Sequence, residues 1–180
     1  MKLSLAGVRT VRDTWSLLAT GTFGEGIHLV SGDVGSGKST LAVLLAGLVT
    51  PVSGTVDREG ISSVMISFQF PEFHITGSDL ESECKAWNVD PAPLLAATGL
   101  AGRNLKSPFD LSRGELKRLN LACMLARDYD LLILDEPFSG LDPVNTNLVK
   151  DIILDLVKNG ATIIFSTHLM EQAEKLCDSL

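Results

Sequence analysis

The sequence predicts an α/β fold with a mostly parallel central sheet. Three observations carry this. Short β-type runs alternate with helical segments along most of the chain. Leu131-Leu-Ile-Leu134 is apolar throughout, as a parallel strand covered on both faces must be. A glycine-rich segment, Gly32–Thr40, lies between a strand-like run and a helical one.

The elements follow in order. Residues 3–11 alternate loosely and predict a strand. Ile27–Ser31 is a short β-type run ending at Gly32. Lys38–Leu48 reads as a helix, with Leu41, Leu44, Leu45 and Leu48 at helical spacing. Thr50–Gly54 reads as a turn and Ser62–Phe68 as a strand. From Pro71 to Pro108 the texture changes. Helical stretches at Ser78–Trp87 and Pro91–Gly99, broken by Pro and Gly, predict a small helical insertion. Ser112–Arg127 is an amphipathic helix capped by Ser112, with Glu115 at the capping-box position. Pro143–Lys158 is helical, with Pro143 suited to its first turn. Ala161–Ser166 is a buried strand, and Leu169–Cys177 starts a last helix.

Composition bounds the answer. A chain of 180 residues suits one compact domain, and 45% hydrophobic residues suffice for a core, which argues against disorder. A net charge of −7, from 15 basic and 22 acidic residues, disfavours a broad nucleic-acid footprint. Cys84, Cys123 and Cys177 show no metal-ligand spacing, and their odd number fits a reducing compartment. No apolar run reaches the ~18 residues of a membrane span, and the N-terminal apolar stretch is too short for a signal peptide. A membrane role therefore calls for a partner chain.

Gly32-Asp-Val34-Gly35-Ser36-Gly37-Lys38-Ser39-Thr40 fits the pattern G-x-x-x-x-G-K-[ST], in the strand-then-helix context that the pattern needs. Glycines let the backbone curl and turn its N–H groups inward on phosphate oxygens, and the helix N-terminus adds positive potential. Lys38 is placed to reach β- and γ-phosphates and the Ser39 hydroxyl to ligate Mg²⁺. Asp135 and Glu136 follow the apolar run, at the strand end where α/β sheets bind ligands. Asp135 is the candidate for the Mg²⁺ hydration shell, and Glu136 for the general base that polarises water.

With four further motifs in order, the chain resembles the ABC ATPase family along nearly its whole length. Gln69 looks like the Q-loop glutamine, Leu111-Ser-Arg-Gly-Glu115 like the signature motif, Ser139-Gly-Leu-Asp142 like the D-loop, and His168 like the switch histidine. Taken singly, Gln69 could be an ordinary polar residue at a strand end and His168 a cap of the next helix. The resemblance implies a P-loop NTPase core with an N-terminal antiparallel β portion and a small helical subdomain, about residues 71–127. It implies ATP and Mg²⁺ as ligands and a second ATPase subunit stacked head to tail. One face of each site would come from Gly32, Val34, Gly35, Ser36, Gly37, Lys38, Ser39, Thr40, Gln69, Asp135, Glu136 and His168. The other would come from Ser112 and Gly114 of the opposite subunit, with Asp142 contacting across the interface. Gln69 would sense Mg²⁺ and the γ-phosphate, and its loop would meet a transmembrane subunit. His168 would hold the γ-phosphate and the attacking water. The implied place is the cytoplasmic face of a membrane, with no nucleic-acid partner.

The chain departs from the family pattern at three points. Arg113 replaces the first glycine of the signature and Glu115 its final glutamine. Trp15 and Phe23 are the nearby candidates for the family's adenine-stacking aromatic, but Trp15 lies closer to the loop than that residue, so core packing is its first expected role and adenine stacking the alternative. The chain stops soon after His168, where family domains continue, so a short or truncated C-terminal part is expected. Phe68–Glu83 and the basic stretch after the signature are similar to energy-coupling-factor and cobalt-type importer ATPases, which implies import of vitamins or metal ions. A non-transport ATPase acting on DNA or the ribosome, or a nucleotide-binding regulator, is the alternative.

Overall fold

The computed structural model describes residues 1–12 and 15–168, so the helix expected over 169–177 lies outside the described residues. Two sheets share one helix between them. β1 (Lys2–Arg12), β2 (Trp15–Phe23) and β4 (Ser53–Glu59) form an antiparallel sheet in the order β2-β1-β4. β3 (Ile27–Val30), β7 (Thr162–Ser166), β6 (Leu131–Asp135) and β5 (Val64–Ser67) form a parallel sheet in that spatial order. The parallel core is the one the sequence predicts, and the antiparallel portion is the one the family resemblance implies.

Helix α1 (Lys38–Leu45) fills the space between the sheets. Its Ala42, Leu44 and Leu45 join Leu3, Leu5 and Val8 of β1 and Ile66, Leu131, Ile133 and Ile164 of the parallel sheet in one buried cluster. Alternation does the rest. Leu132, Leu134, Ile163 and Phe165 point the other way and bury against Leu121, Val149 and Ile153 of α4 (Arg113–Leu125) and α5 (Pro143–Lys158). The apolar run of β6 is thus covered on both faces.

α1 ends three residues before the predicted Leu48. Gly47 adopts φ 78°, its N–H reaches the Leu44 carbonyl, and the Leu48 N–H reaches that of Val43. This Schellman arrangement turns the chain out of the helix, and Arg58 Nη2 donates to the Leu44 and Leu45 carbonyls beside it.

Between β5 and β6 come a 3-10 turn (Pro71–His74), α2 (Leu80–Ala86), α3 (Pro91–Ala97), a second 3-10 turn (Pro108–Asp110) and α4. They enclose a separate small core of Leu80, Cys84, Leu94, Leu95, Leu100, Leu119 and Cys123. The buried Glu83 carboxylate ties the entry to α2, accepting from the N–H groups of Thr76 and Gly77 and from Trp87 Nε1. The Asn120 side chain of α4 donates to the Pro71 carbonyl at 2.8 Å, joining α4 to the segment that follows Gln69.

Candidate nucleotide site

The loops that carry the candidate phosphate and Mg²⁺ residues lie at the carboxyl ends of the parallel strands. Residues 31–37 follow β3, Gln69 follows β5, Asp135 ends β6 and His168 follows β7. The β6–β7 register sets Asp135 opposite Ser166 and so draws two strand ends into one place. A cleft of ≈ 320 Å³ opens there, lined by Trp15, Val34, Gly35, Gly37, Lys38, Ser39, Thr40, Gln69, Asp135, Glu136 and His168.

The loop has the curl that its glycines predict. Gly35 and Gly37 take φ 85° and 95°, which side chains disfavour. Lys38 Nζ donates to the carbonyls of Gly32 (2.8 Å) and Asp33 (3.0 Å), so its ammonium sits within the curl. Gly37 caps α1 without any side-chain hydrogen bond, which leaves the first N–H groups of the helix to an anion. That uncapped N-terminus, the ammonium, and the Ser39 hydroxyl with the Asp135 carboxylate in the same cleft fit a phosphate chain with Mg²⁺. When bound, Mg²⁺ would neutralise phosphate charge.

The acidic strand end is held by a network from β7. Ser166 Oγ donates to Asp135 Oδ1 at 2.5 Å and accepts the Glu136 N–H at 3.1 Å. Glu136 adopts φ 50°, a left-handed conformation uncommon for a non-glycine residue. The bend returns its buried carboxylate toward β7, where Thr167 Oγ1 (3.2 Å) and His168 Nδ1 (2.8 Å) meet it. A base paired to a histidine in this way can take a proton from water while the ring orients it.

On the far side of the bend lies Lys117, only 2% exposed. Its Nζ donates to the Glu136 carbonyl at 2.5 Å and the Ser139 carbonyl at 3.2 Å. Burial pushes its pKa down to about 8, against the opposing pull of the Glu136 and Asp135 carboxylates.

Five candidates do not line this cleft: Gly32 and Ser36, which belong to the loop itself, and Ser112, Gly114 and Asp142, which lie on other segments. Ser112 caps α4, accepting from the Glu115 N–H, while Glu115 accepts from the Ser112 N–H and pairs with Arg103. Glu115 therefore has a structural use where the family has glutamine. Gly114 sits in the first turn of α4. A Cβ on it would stand 3.5 Å from the Gly140 carbonyl. Asp142 caps α5, accepting from the N–H groups of Val144 and Asn145, which holds its carboxyl below the usual range. Arg113 lies over the Phe70 ring, with its Cζ 5.8 Å from the centroid.

Trp15 corrects the expectation of core packing. The residue is 37% exposed and lines the cleft, and its ring abuts Gly37, where an added Cβ would fall 2.4 Å from it. Ser166, Thr167 and Lys117 are the other residues that motif reading did not single out. The pairing of Asp135 with Ser166 across adjacent strands bears on Ser166, and no sequence pattern points to Lys117.

A glycine-rich loop feeding a helix beside an acidic strand end defines the class of a P-loop nucleotide-binding protein. Residues 22–139 match the family model described as ABC transporter, and the chain belongs to that family. A fluoroquinolones export ATP-binding protein of Mycobacterium tuberculosis (strain CDC 1551 / Oshkosh) is 39% identical over 174 residues, which cover 87% of this chain and 58% of that protein. An energy-coupling factor transporter ATP-binding protein of Methanospirillum hungatei JF-1 is 35% identical over 181 residues, covering 87% of this chain and 45% of that protein. The chain thus spans about half the length of these two relatives. Among solved structures, an ATP binding subunit of an ABC transporter superposes with a TM-score of 0.81 at 24% identity, covering 99% of this chain and 84% of that one. Clostridium perfringens cbiO1, part of the ABC transporter complex cbiONQ, does so with a TM-score of 0.70 at 24% identity, covering 98% and 82%. These two likenesses bear on the fold. No helix among the described residues is long and apolar enough to cross a membrane.

Proposed function

We propose that this chain binds and hydrolyses ATP with Mg²⁺ and so powers a membrane transporter. The observation that carries the reading is the single cleft that collects Lys38, Ser39, Gln69, Asp135, Glu136 and His168 around the uncapped start of α1. In this reading the loop amides and Lys38 bind the β- and γ-phosphates, and Ser39, Gln69 and Asp135 hold Mg²⁺, Asp135 through water. Trp15 stacks on the adenine. Glu136 takes the proton of the attacking water, and His168 orients that water and the γ-phosphate. Residues 71–127 act as a helical subdomain within one ATPase domain.

Ser112, Gly114 and Asp142 serve the site of a second ATPase subunit. Their position outside the cleft that holds Lys38 supports a contribution in trans. The working place is the cytoplasmic face of the membrane, on a transmembrane subunit met by the Gln69 loop. Importer-like residues over Phe68–Glu83 support an energy-coupling-factor system for vitamins or metal ions. The relative named for fluoroquinolone export supports the second reading, an exporter.

The test is ATP-dependent dimerisation, followed by size-exclusion chromatography with light scattering. Wild type without Mg²⁺ and Glu136→Gln with Mg²⁺ are expected to form a stable dimer only with ATP. Failure of either to bind ATP would sink the proposal. ATP binding without a dimer would replace the homodimer with a heterodimer carrying a different second subunit.

A further inference from the structure

We infer that Lys117 is a positioning residue whose ammonium, by holding the carbonyls of Glu136 and Ser139, fixes the bend that aims the Glu136 carboxylate. Its value to catalysis rests on the reading of Glu136 as the base.

The observations are mechanical. A cation 2% exposed must find partners inside the protein, and the two hydrogen bonds seen for this one go to main-chain oxygens of one short segment. Those oxygens bracket the turn closed by the Ser139 N–H on the Glu136 carbonyl at 3.2 Å. The first is the carbonyl of the residue held at φ 50°. A strained residue keeps its conformation only while its surroundings enforce it. The Ser166 hydroxyl at the end of β7 and the Thr167 hydroxyl just after it enforce it from one side, and Lys117 does so from α4.

α4 also carries the groups that reach the other loops of the site. Asn120, three residues on, holds the Pro71 carbonyl, and Arg113, four residues back, lies over Phe70 next to Gln69. One rigid helix therefore grips the segments that follow Gln69 and Glu136 together. A shift of α4 would move the base relative to water by the same hydrogen bonds, and a misplacement of about 1 Å is enough to cost roughly a hundredfold in rate.

Two variants separate the parts of this idea. Lys117→Met keeps the length and removes the donor. Lys117→Gln keeps a neutral donor and guards against a Met variant that fails to fold. Hydrogen exchange is read on the Ser139 and Leu141 amides without nucleotide, and kcat, KM and the Kd for ATP are read beside it. The expected result for Met is exchange at least about fivefold faster in this segment with α1 amides unchanged, kcat lower by about tenfold or more, and Kd within about twofold. Gln is expected to lie between Met and wild type. Unchanged exchange would remove the tether, and faster exchange with unchanged kcat would remove the positioning role. If wild type binds ATP without turning it over, the assignment of Glu136 fails, and the exchange result alone still decides the tether.

Discussion

Acidification should loosen the Gln69 loop through His74. This ring stacks on Phe68 at a centroid distance of 4.9 Å, and its Nε2 accepts the Phe68 N–H at 2.9 Å. Burial pushes its pKa from 6.5 down to about 4, against a smaller upward pull from the Glu83 carboxylate. A protonated Nε2 can no longer accept, so the fold favours the neutral ring. The folded pKa lies below the unfolded one, so the stabilisation is complete above pH 6.5 and is lost as the pH falls from 6.5 through 4. A shift of roughly 2.5 units corresponds to about 3 kcal/mol at most. The ring keeps some contact with solvent, which reduces the figure to about 1–2 kcal/mol. Urea unfolding of wild type and His74→Gln, whose amide oxygen can accept the same N–H without titrating, would be compared at pH 7 and pH 4. Wild type should lose about 1–2 kcal/mol more than the variant over that interval. Parallel profiles, or an NMR titration of His74 near 6.5, would refute the reasoning.

Three further outcomes are expected. Trp15→Ala should weaken ATP binding by roughly 5- to 100-fold, the worth of one aromatic stack on a base, as read by fluorescent-nucleotide titration. Gly77→Ala should cost about 2–4 kcal/mol in urea, because the new Cβ would fall 2.3 Å from the Glu83 backbone nitrogen and displace the loop from the Glu83 carboxylate. Ser112→Ala should cost about 1 kcal/mol in nucleotide-free unfolding, the usual worth of an N-cap.

The sequence showed most of the parallel core and little of the antiparallel sheet, for a physical reason. β6 and β7 are buried on both faces, so their residues are apolar without interruption and announce themselves. β4 reads Ser-Gly-Thr-Val-Asp-Arg-Glu and buries nothing fully, so it has no hydrophobic alternation to detect. Its first residues match a turn because Gly54, at φ 83°, fits closely under Gly7, where a Cβ would strike the Gly7 carbonyl at 2.3 Å. β2 is mostly exposed and was equally silent. Trp15 was misread along with it, since only the pairing of β2 with β1 brings its ring to Gly37.

The same division runs through the candidate site. Groups proposed to touch phosphate or Mg²⁺ sit in short motifs, because a loop that wraps an anion needs neighbouring residues with fixed chemistry. Groups that hold those motifs in place come from other elements and need no local pattern. Ser166 reaches Asp135 across a strand pair, Lys117 reaches Glu136 from a helix 19 positions earlier, and Asn120 reaches back 49 positions to Pro71. Such residues answer to packing rather than to the ligand. A motif therefore identifies what a site can bind, while the bend that carries the Glu136 carboxylate is held by Ser166, Thr167 and Lys117, none of which lines the cleft. A change at α4 is thus a way to disturb that bend with every lining residue left in place.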